Sequence, residues 1–186
     1  MGRVGENSAA ARPIDCDGEM NMDHRVVVRR MRRGDVEVMA GIMNALGWCA
    51  ETVSETDAAR RLLEKGYLLA ISRYGAALLG WQAENLVTCA DDFFVYPPQQ
   101  AANLGVPLLA GMEAAAQELE CEVAIVFVPE KGRQILEPLL QECGYENRDV
   151  AELDRIWVEV LTSFTAENRT HVWLKRLRED RVTMPF

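Results

Sequence analysis

The sequence predicts an α/β domain with a mixed, mostly antiparallel central sheet and helices on both faces. The predicted elements follow the order β-α-α-β-β-β-α-β-α, then an uncertain element and a last strand. Short turns join the three consecutive strands in the middle, as in an antiparallel meander. A strand–helix–strand crossover follows the meander and predicts a mixed sheet.

The first third of the chain predicts one strand followed by two helices. A β-branched run over residues 26–28 favours the strand. Asp35 is a candidate N-cap for the first helix. The apolar face of that helix is formed by Met39, Ile42, Met43 and Leu46. Ser54 and Asp57 have the spacing of a capping box that begins the second helix, which ends at Gly66.

The middle of the chain predicts the meander and a helix after it. The strands are predicted over residues 68–73, 76–83 and 86–96. Tyr74-Gly75 and Glu84-Asn85 occupy the turns between them. Pro97-Pro98 ends the third strand, because proline cannot donate a hydrogen bond to the sheet. A loop over residues 99–103 then leads to a helix at about 104–119.

The last part of the chain predicts two strands and one helix, with one segment undecided. Residues 123–128 are a continuous apolar run, which is typical of a buried parallel strand. A helix carries Ile135, Leu136, Leu139 and Leu140, and Gly144 closes it as a C′ residue. Residues 153–161 fit a helical face, although the part from residue 155 also fits a strand. Residues 171–177 predict the last strand.

Composition narrows the class of protein. The 186 residues include 20 Lys plus Arg and 29 Asp plus Glu, for a formal net charge of −9. This acidity argues against non-specific binding to nucleic acid or anionic lipid. The five cysteines are scattered and odd in number, and there are two histidines, so neither a disulfide framework nor a metal site is expected. We expect a cytoplasmic protein with reduced thiols, no transmembrane helix and no signal peptide.

Two segments near the N-terminus leave alternatives open. Residues 1–23 are either a flexible tail or residues upstream of a true start at Met20 or Met22. A single domain is expected over residues 24–178, with a C-terminal tail over 179–186. Four arginines follow the first strand, and they indicate either a solvated strand end or a contact to phosphate. They are Arg29, Arg30, Arg32 and Arg33.

The stretch over residues 91–109 carries the most functional information. It reads D-D-F-F-V-Y-P-P-Q-Q-A-A-N-L-G-V-P-L-L, a strand that runs through proline and small residues into a helix. The first turn of a helix has free N–H groups and a positive dipole end, so this junction predicts a phosphate or pyrophosphate cradle. An ordinary connection is the alternative. The motifs of P-loop and Rossmann nucleotide sites are absent from the sequence.

This stretch resembles the acetyl-CoA-binding signature of the GNAT superfamily of N-acetyltransferases. Gln100 takes a Gln/Arg position, Asn103 the first glycine and Gly105 the second. The other positions in register are Asp91, Asp92, Phe93, Phe94, Val95, Pro97, Leu108 and Leu109. The resemblance covers about residues 25–177. It includes an opening strand and helix start, a central hairpin with Gly75 and Gly80, and a last helix that ends Cys-Gly-Tyr.

The resemblance implies that acetyl-CoA is the co-substrate and that no metal is needed. The strand before the loop would diverge from its neighbour, and Phe94 and Val95 would lie where the pantetheine arm pairs with its backbone. The loop amides would hold the pyrophosphate. These residues are Gln100, Ala101, Ala102, Asn103, Leu104, Gly105 and Val106. Asn103 departs from the family's glycine, and Asn tolerates left-handed backbone better than most residues.

The resemblance also implies direct attack of a primary amine on the thioester. The candidate catalytic residues are Asp91, Asp92 and Glu84. Asp91 is the candidate base. Alternation along a strand is expected to place its side chain on the face of residues 93 and 95, with Asp92 on the other face. Glu84 is a candidate for recognising a cationic acceptor, small or peptidic. A solvated strand end is the alternative for both aspartates.

The general acid is the point at which the resemblance is incomplete. Leu140 stands where the family commonly has Tyr, and Arg133 where it often has Asn. Tyr96 and Tyr145 are the phenols that remain. A second hypothesis is therefore a catalytically weak or inactive module of the same fold that binds acyl-CoA or a protein partner.

A third hypothesis concerns residues 151–164, which carry an apolar helical face. Ile156, Trp157 and Leu161 either cover a homodimer surface or fill the core. We favour the core, because the apolar face of a helix usually packs inside its own domain.

Overall fold

Seven strands form one sheet in the computed structural model, which describes residues 25–164 and 171–178. The strands are β1 (Val27–Arg30), β2 (Gly66–Ser72), β3 (Gly75–Glu84), β4 (Val87–Tyr96), β5 (Val123–Val126), β6 (Glu146–Asp149) and β7 (His171–Arg176). Their order across the sheet is β1-β2-β3-β4-β5-β7-β6. The β4–β5 pair is parallel and every other pair is antiparallel. The tails expected at 1–23 and 179–186 lie outside the described residues.

Five α-helices cover the sheet. They are α1 (Val36–Ala45), α2 (Glu55–Glu64), α3 (Val106–Glu118), α4 (Arg133–Glu142) and α5 (Arg155–Phe164). Apolar side chains of α3 and α4 pack on one face of the sheet, and those of α1 pack on the other. The predicted fold class is therefore confirmed. In the part of the chain that the structure covers, no helix has the length and apolar character needed to cross a membrane.

In the second half of the chain, the sequence prediction misses one element and leaves another undecided. β6 was not predicted, because its four residues, Glu-Asn-Arg-Asp, carry no apolar pattern. It forms the edge of the sheet beside β7. The undecided segment is helix α5. Its Trp157 and Leu161 are 6% and 5% exposed and pack with β5 and β7, which confirms the core interpretation for these two residues. Ile156 is 40% exposed and does not belong to the core.

Of the two predicted helix caps, the one at α2 is correct and the one at α1 is wrong. Ser54 and Asp57 form the predicted capping box at α2, with Asp57 N–H donating to Ser54 Oγ at 3.1 Å. Asp35 precedes α1, but its side chain does not cap that helix. It accepts hydrogen bonds from the Arg29 guanidinium and from Arg32 N–H, each at 2.7 Å. The Arg29 contact lowers the pKa of Asp35 to about 2.

The connection between β4 and α3 is helical rather than an open loop. Pro98–Gln100 form a 3-10 turn and Ala101–Gly105 form a π-type turn. α3 therefore begins at Val106, two residues later than predicted. The chain therefore enters α3 through two successive helical turns.

Candidate active site

β4 separates from β5 partway along the sheet. Parallel pairing joins residues 87–90 to 123–126, and Phe127 N–H then donates to the Ala90 carbonyl at 2.7 Å. From residue 92 onward β4 pairs with β3 alone. The edge of β4 that faces β5 is therefore open just before the loop, as the resemblance implies.

A β-bulge in β4 lies where the two strands separate. Gly80 pairs with Asp92 and Trp81 pairs with Ala90, so Asp91 is the extra residue. The bulge shifts the alternation of side chains, and Ala90 and Phe93 consequently pack in the same core cluster. The prediction that Asp91 and Asp92 lie on opposite faces is wrong. Both carboxylates contact the ammonium of Lys65.

Asp92 is nearly buried and is surrounded by hydrogen-bond donors. Its carboxylate accepts from Tyr67 Oη at 2.5 Å, from Lys65 Nζ at 3.0 Å and from Arg61 Nη1 at 3.2 Å. Burial disfavours the charged form, but these donors outweigh it and hold the pKa of Asp92 below its usual value. Burial, followed by the nearby Asp92 charge, raises the pKa of Tyr67, so the phenol stays protonated. Asp92 is therefore a fixed anion.

Asp91 has fewer partners than Asp92. Its Oδ1 contacts Lys65, and its side chain is 30% exposed. Within the described part of the chain, no hydrogen bond is made to Oδ2. Asp91 therefore has a carboxylate oxygen available to a ligand, whereas the oxygens of Asp92 are occupied.

A cavity of about 410 Å³ opens beside the bulge. It is lined by Trp48, Cys49, Ala50, Glu51, Thr52, Val53, Asp57, Arg60, Arg61, Asp91, Asp92, Phe94 and Pro129. These residues come from the α1–α2 connection, α2, β4 and the segment after β5. The lining includes four carboxylates and two guanidinium groups, so it carries a net negative charge.

The α1–α2 connection is held against both diverging strands. The ring of Trp48 stacks on Phe94 of β4, with centroids 5.7 Å apart. On the β5 side, Lys131 Nζ donates to the Gly47 carbonyl at 2.9 Å. A Cβ built on Gly132 would lie 3.0 Å from the Trp48 ring. These contacts fix one wall of the cavity across the opening between β4 and β5.

The loop that was expected to hold pyrophosphate has suitable features. No side chain caps either of its two turns or the start of α3. Gln100 N–H and Ala101 N–H already donate to the carbonyls of Pro97 and Pro98, which narrows the expected anion contacts to the N–H groups after Ala101. Ala102 and Asn103 are exposed, and Asn103 Nδ2 donates to Gln100 Oε1 at 3.1 Å. Exposed small residues beside uncapped N–H groups fit a bulky anion.

Gly105 is required by packing between the loop and α4. A Cβ built there would overlap Leu139 Cδ2 and lie 3.3 Å from Phe93 Cζ. Both neighbours are buried. The small residue lets α4 pack directly against the loop.

We expect Gly105→Ala to lower the free energy of unfolding by about 2 kcal/mol, because the added methyl group overpacks a filled site. Gly111→Ala is the matched control within α3. Its Cβ would make ordinary contacts at 3.4 Å and 3.5 Å with Leu68 and Val28. Alanine should therefore be neutral there or stabilise by up to about 1 kcal/mol. Urea unfolding measures both, and equal values for the two variants would contradict the packing role of Gly105.

The structure brings together some of the predicted site residues and not others. Asp91 and Asp92 meet at the cavity. Phe94 reaches it too, although its 5% exposed ring packs mainly with Trp48 and the α1 core. Val95 is fully buried and lies on the free-edged part of β4. Glu84 lies at the β3–β4 hairpin and is not among the lining residues of the cavity.

Sequence reasoning missed the cations and the phenol of this site. Arg61 and Lys65 are four residues apart, which places them on one face of α2 and its C-cap. That spacing, set against the Asp91-Asp92 pair, is a signal that could have identified them. Tyr67 carried no such signal, because it reads as an ordinary aromatic residue of a strand.

Comparison with known proteins identifies the fold. A GNAT-family acetyltransferase from Staphylococcus aureus Mu50 has a TM-score of 0.63 and 12% identity, over 83% of this chain and 100% of that chain. A GNAT-superfamily phosphinothricin acetyltransferase from Sinorhizobium meliloti, in complex with acetyl-CoA, gives 0.59 and 14%, over 87% and 93%. N-acetylglutamate synthase from Neisseria gonorrhoeae, complexed with coenzyme A and N-acetyl-glutamate, gives 0.58 and 20%, over 83% and 35%.

The chain therefore has the GNAT acetyltransferase fold, as the sequence resemblance predicted. No protein-family model and no curated protein sequence matches it. Within residues 25–164 and 171–178, no group of three or more His, Cys, Asp or Glu side chains is placed to hold a metal ion.

Proposed function

We propose that this protein is an acetyl-CoA-dependent N-acetyltransferase that acts on a primary amine by direct attack. The observation that carries the proposal is the position of Asp91. Its partly free carboxylate lies at the bulge, where β4 separates from β5 and a cavity opens. A carboxylate beside a free strand edge and a cavity supports the proposal, because the reaction needs a proton acceptor between the thioester and the amine.

The residues beyond the bulge fit acetyl-CoA as co-substrate. The free edge of β4 at Phe94 and Val95 would pair with the pantetheine arm, and the loop amides after Ala101 would hold the pyrophosphate. Bound acetyl-CoA supplies a thioester whose carbonyl carbon forms the new C–N bond as the C–S bond breaks. The loop supplies no basic side chain, so its contribution comes from backbone N–H groups.

Asp91 would accept the proton that an ammonium must lose before its nitrogen can attack. Lys65 positions the carboxylate from one side, and Asp92 holds Lys65 in place. Water protonates the departing thiolate. Leu140, at the position where the family commonly has Tyr, has no acidic group and is fully buried, and the phenol of Tyr145 is also buried, at 2% exposed.

We propose a cationic acceptor, small or peptidic. Glu51, Asp57, Asp91 and Asp92 outnumber Arg60 and Arg61 in the cavity lining, and a negatively charged cleft attracts a cation. A role for Glu84 in recognising the acceptor remains a prediction. A cytoplasmic location is likewise proposed from the cysteine usage. The four cysteines in the described part of the chain are free thiols.

The direct test is calorimetric titration of the full chain with acetyl-CoA, followed by a turnover assay with diamines, aminoglycoside-like amines, lysine peptides and, for comparison, amines that carry a net negative charge. We expect micromolar binding, and release of free CoA that requires an amine. Failure to bind any acyl-CoA would overturn the proposal. Turnover with anionic amines alone would overturn the cationic acceptor but not the reaction.

A module that binds acyl-CoA without turnover is the second candidate. Leu140 in the core, where the resembling family commonly has Tyr, is the observation that favours it. Acetyl-CoA binding without CoA release across the whole amine panel would support this candidate instead.

A further inference from the structure

A second cavity, of about 960 Å³, lies between the segment after β1, the end of α2 and the residue after α3. We call it the basic groove. Its lining includes Arg30, Arg32, Arg33, Leu62, Leu63 and Leu119. It shares no lining residue with the proposed acceptor cavity, but two of its lining residues, Lys65 and Tyr67, contact the aspartates of that cavity, so the two cavities lie on opposite sides of these side chains.

Large apolar side chains of the basic groove are exposed to solvent. Leu63 is 74% exposed and Leu119 is 56% exposed, although both are leucines. They come from α2 and from the end of α3, and the lining between them includes Leu62, Met31 and Trp81. A ligand that covers this surface would gain the free energy of removing hydrocarbon from water.

The charges of the basic groove have one sign. No lining residue is acidic, although the whole chain has a net charge of −9. Arg30, Arg32 and Arg33 have no carboxylate within ion-pair distance in the described part of the chain, whereas Arg29 is paired with Asp35. Three unpaired guanidinium groups on one short segment, beside an apolar surface, favour a ligand with one anionic end.

The lining also favours a hydrocarbon chain over a peptide. A peptide brings backbone N–H groups that need acceptors. Among the lining side chains, Tyr67 alone has an oxygen, and its hydroxyl donates to Asp92 at 2.5 Å. A hydrocarbon chain has no polar groups along its length, so it brings no hydrogen-bond donor that would stay unpaired on this surface.

We propose that the basic groove binds a monomeric long-chain carboxylate. The carboxylate lies at Arg30, Arg32 and Arg33, and the hydrocarbon chain covers Leu62, Leu63 and Leu119. The groove is large enough, because small-molecule sites range from about 300 to 1,000 Å³. This binding does not depend on the proposed acetyl transfer.

The test is calorimetric titration of the full chain with laurate below its critical micelle concentration. We expect one site, with decanoate bound roughly five- to fifteenfold more weakly, since it lacks two methylenes and each buried methylene contributes up to about fourfold in affinity. Dodecanol and dodecyltrimethylammonium should bind at least tenfold more weakly than laurate, because they lack the anionic end. Equal affinity for all three head groups would overturn the proposal.

Variants locate the site. Leu63→Asp and the double change Arg32→Ala with Arg33→Ala should each weaken laurate binding at least tenfold. Ile156→Asp and Arg155→Ala are the matched controls on α5, where Ile156 is 40% exposed, and they should leave it unchanged. Thermal unfolding followed by circular dichroism confirms that each variant is folded. Equal loss in the groove and control variants would also overturn the proposal.

Two further titrations distinguish a long-chain carboxylate from the other ligands that could occupy the basic groove. Binding to anionic phospholipid vesicles without binding to monomeric laurate would identify a membrane surface and overturn the proposal. Binding of an acidic, leucine-containing peptide with no binding of laurate would do the same. Loss of laurate binding in the presence of saturating acetyl-CoA would place laurate in the proposed acetyl-CoA site and would overturn the proposal.

Discussion

Asp91→Ala should lower kcat/KM for the amine about 100-fold while leaving the Kd for acetyl-CoA nearly unchanged. The loss is of the size that a positioned proton acceptor contributes. Acetyl-CoA affinity is preserved because the proposed contacts to that molecule come from the backbone of β4 and the loop, and not from the Asp91 side chain. Steady-state kinetics across the pH range and calorimetry with acetyl-CoA measure the two effects separately.

Glu51→Gln is the matched control for this prediction. Glu51 lines the same cavity and is exposed, but it lies on the α1–α2 connection and not at the strand edge. Its loss should raise KM for a cationic acceptor by a few fold at most, with kcat retained. Unchanged turnover of Asp91→Ala at every pH would show that the base has been assigned to the wrong residue.

Asp92→Asn should lower the free energy of unfolding by about 3 kcal/mol at neutral pH, because it leaves buried cationic partners less compensated. The carboxylate is 12% exposed and accepts from Arg61, Lys65 and Tyr67. Glu146→Gln removes a carboxylate from an exposed pair with Arg148 and should change the free energy of unfolding by about 0.5 kcal/mol or less. Urea unfolding of the two variants and the parent chain gives the comparison.

The effect of Asp92→Asn should depend on pH in a defined direction. The pKa of Asp92 is lowered in the folded state. Its contribution is therefore complete above the unfolded-state pKa of about 3.9 and is lost as the pH falls through the lower folded-state pKa. The difference between variant and parent should be largest at neutral pH and should shrink only in acid below about 3.9. A difference that grows on acidification would contradict the ion-paired state of Asp92.

The sequence predicted most of the fold because most elements carry a strong local pattern. The meander, the parallel strand β5 and the capping box of α2 each combine apolar periodicity with a turn or cap residue. β6 has neither, and it forms because β7 offers an unpaired edge. Long-range pairing of that kind leaves no trace in four polar residues.

The candidate site was only partly predictable, for a different reason. Strand alternation assigns faces correctly only while one residue on β4 opposes one residue on β3. The bulge at Asp91 breaks that rule, and it depends on the neighbouring strand, where Gly80 leaves room for Tyr67 and Asp92. Lys65 comes from a helix that is distant in sequence, so its contact with both aspartates is a property of the folded chain.

The extra residue in β4 has a consequence for how this protein can evolve. The bulge absorbs Asp91, so the residues on both sides of it stay in phase with their partners on β3. Deleting Asp91 alone would restore one-to-one pairing, and Phe93 and Phe94 would keep their places in the cores on opposite faces of the sheet. Packing therefore leaves open both the identity and the presence of the inserted residue. Reaction chemistry can diverge at this position, by substitution or by loss of one residue, without repacking the cores.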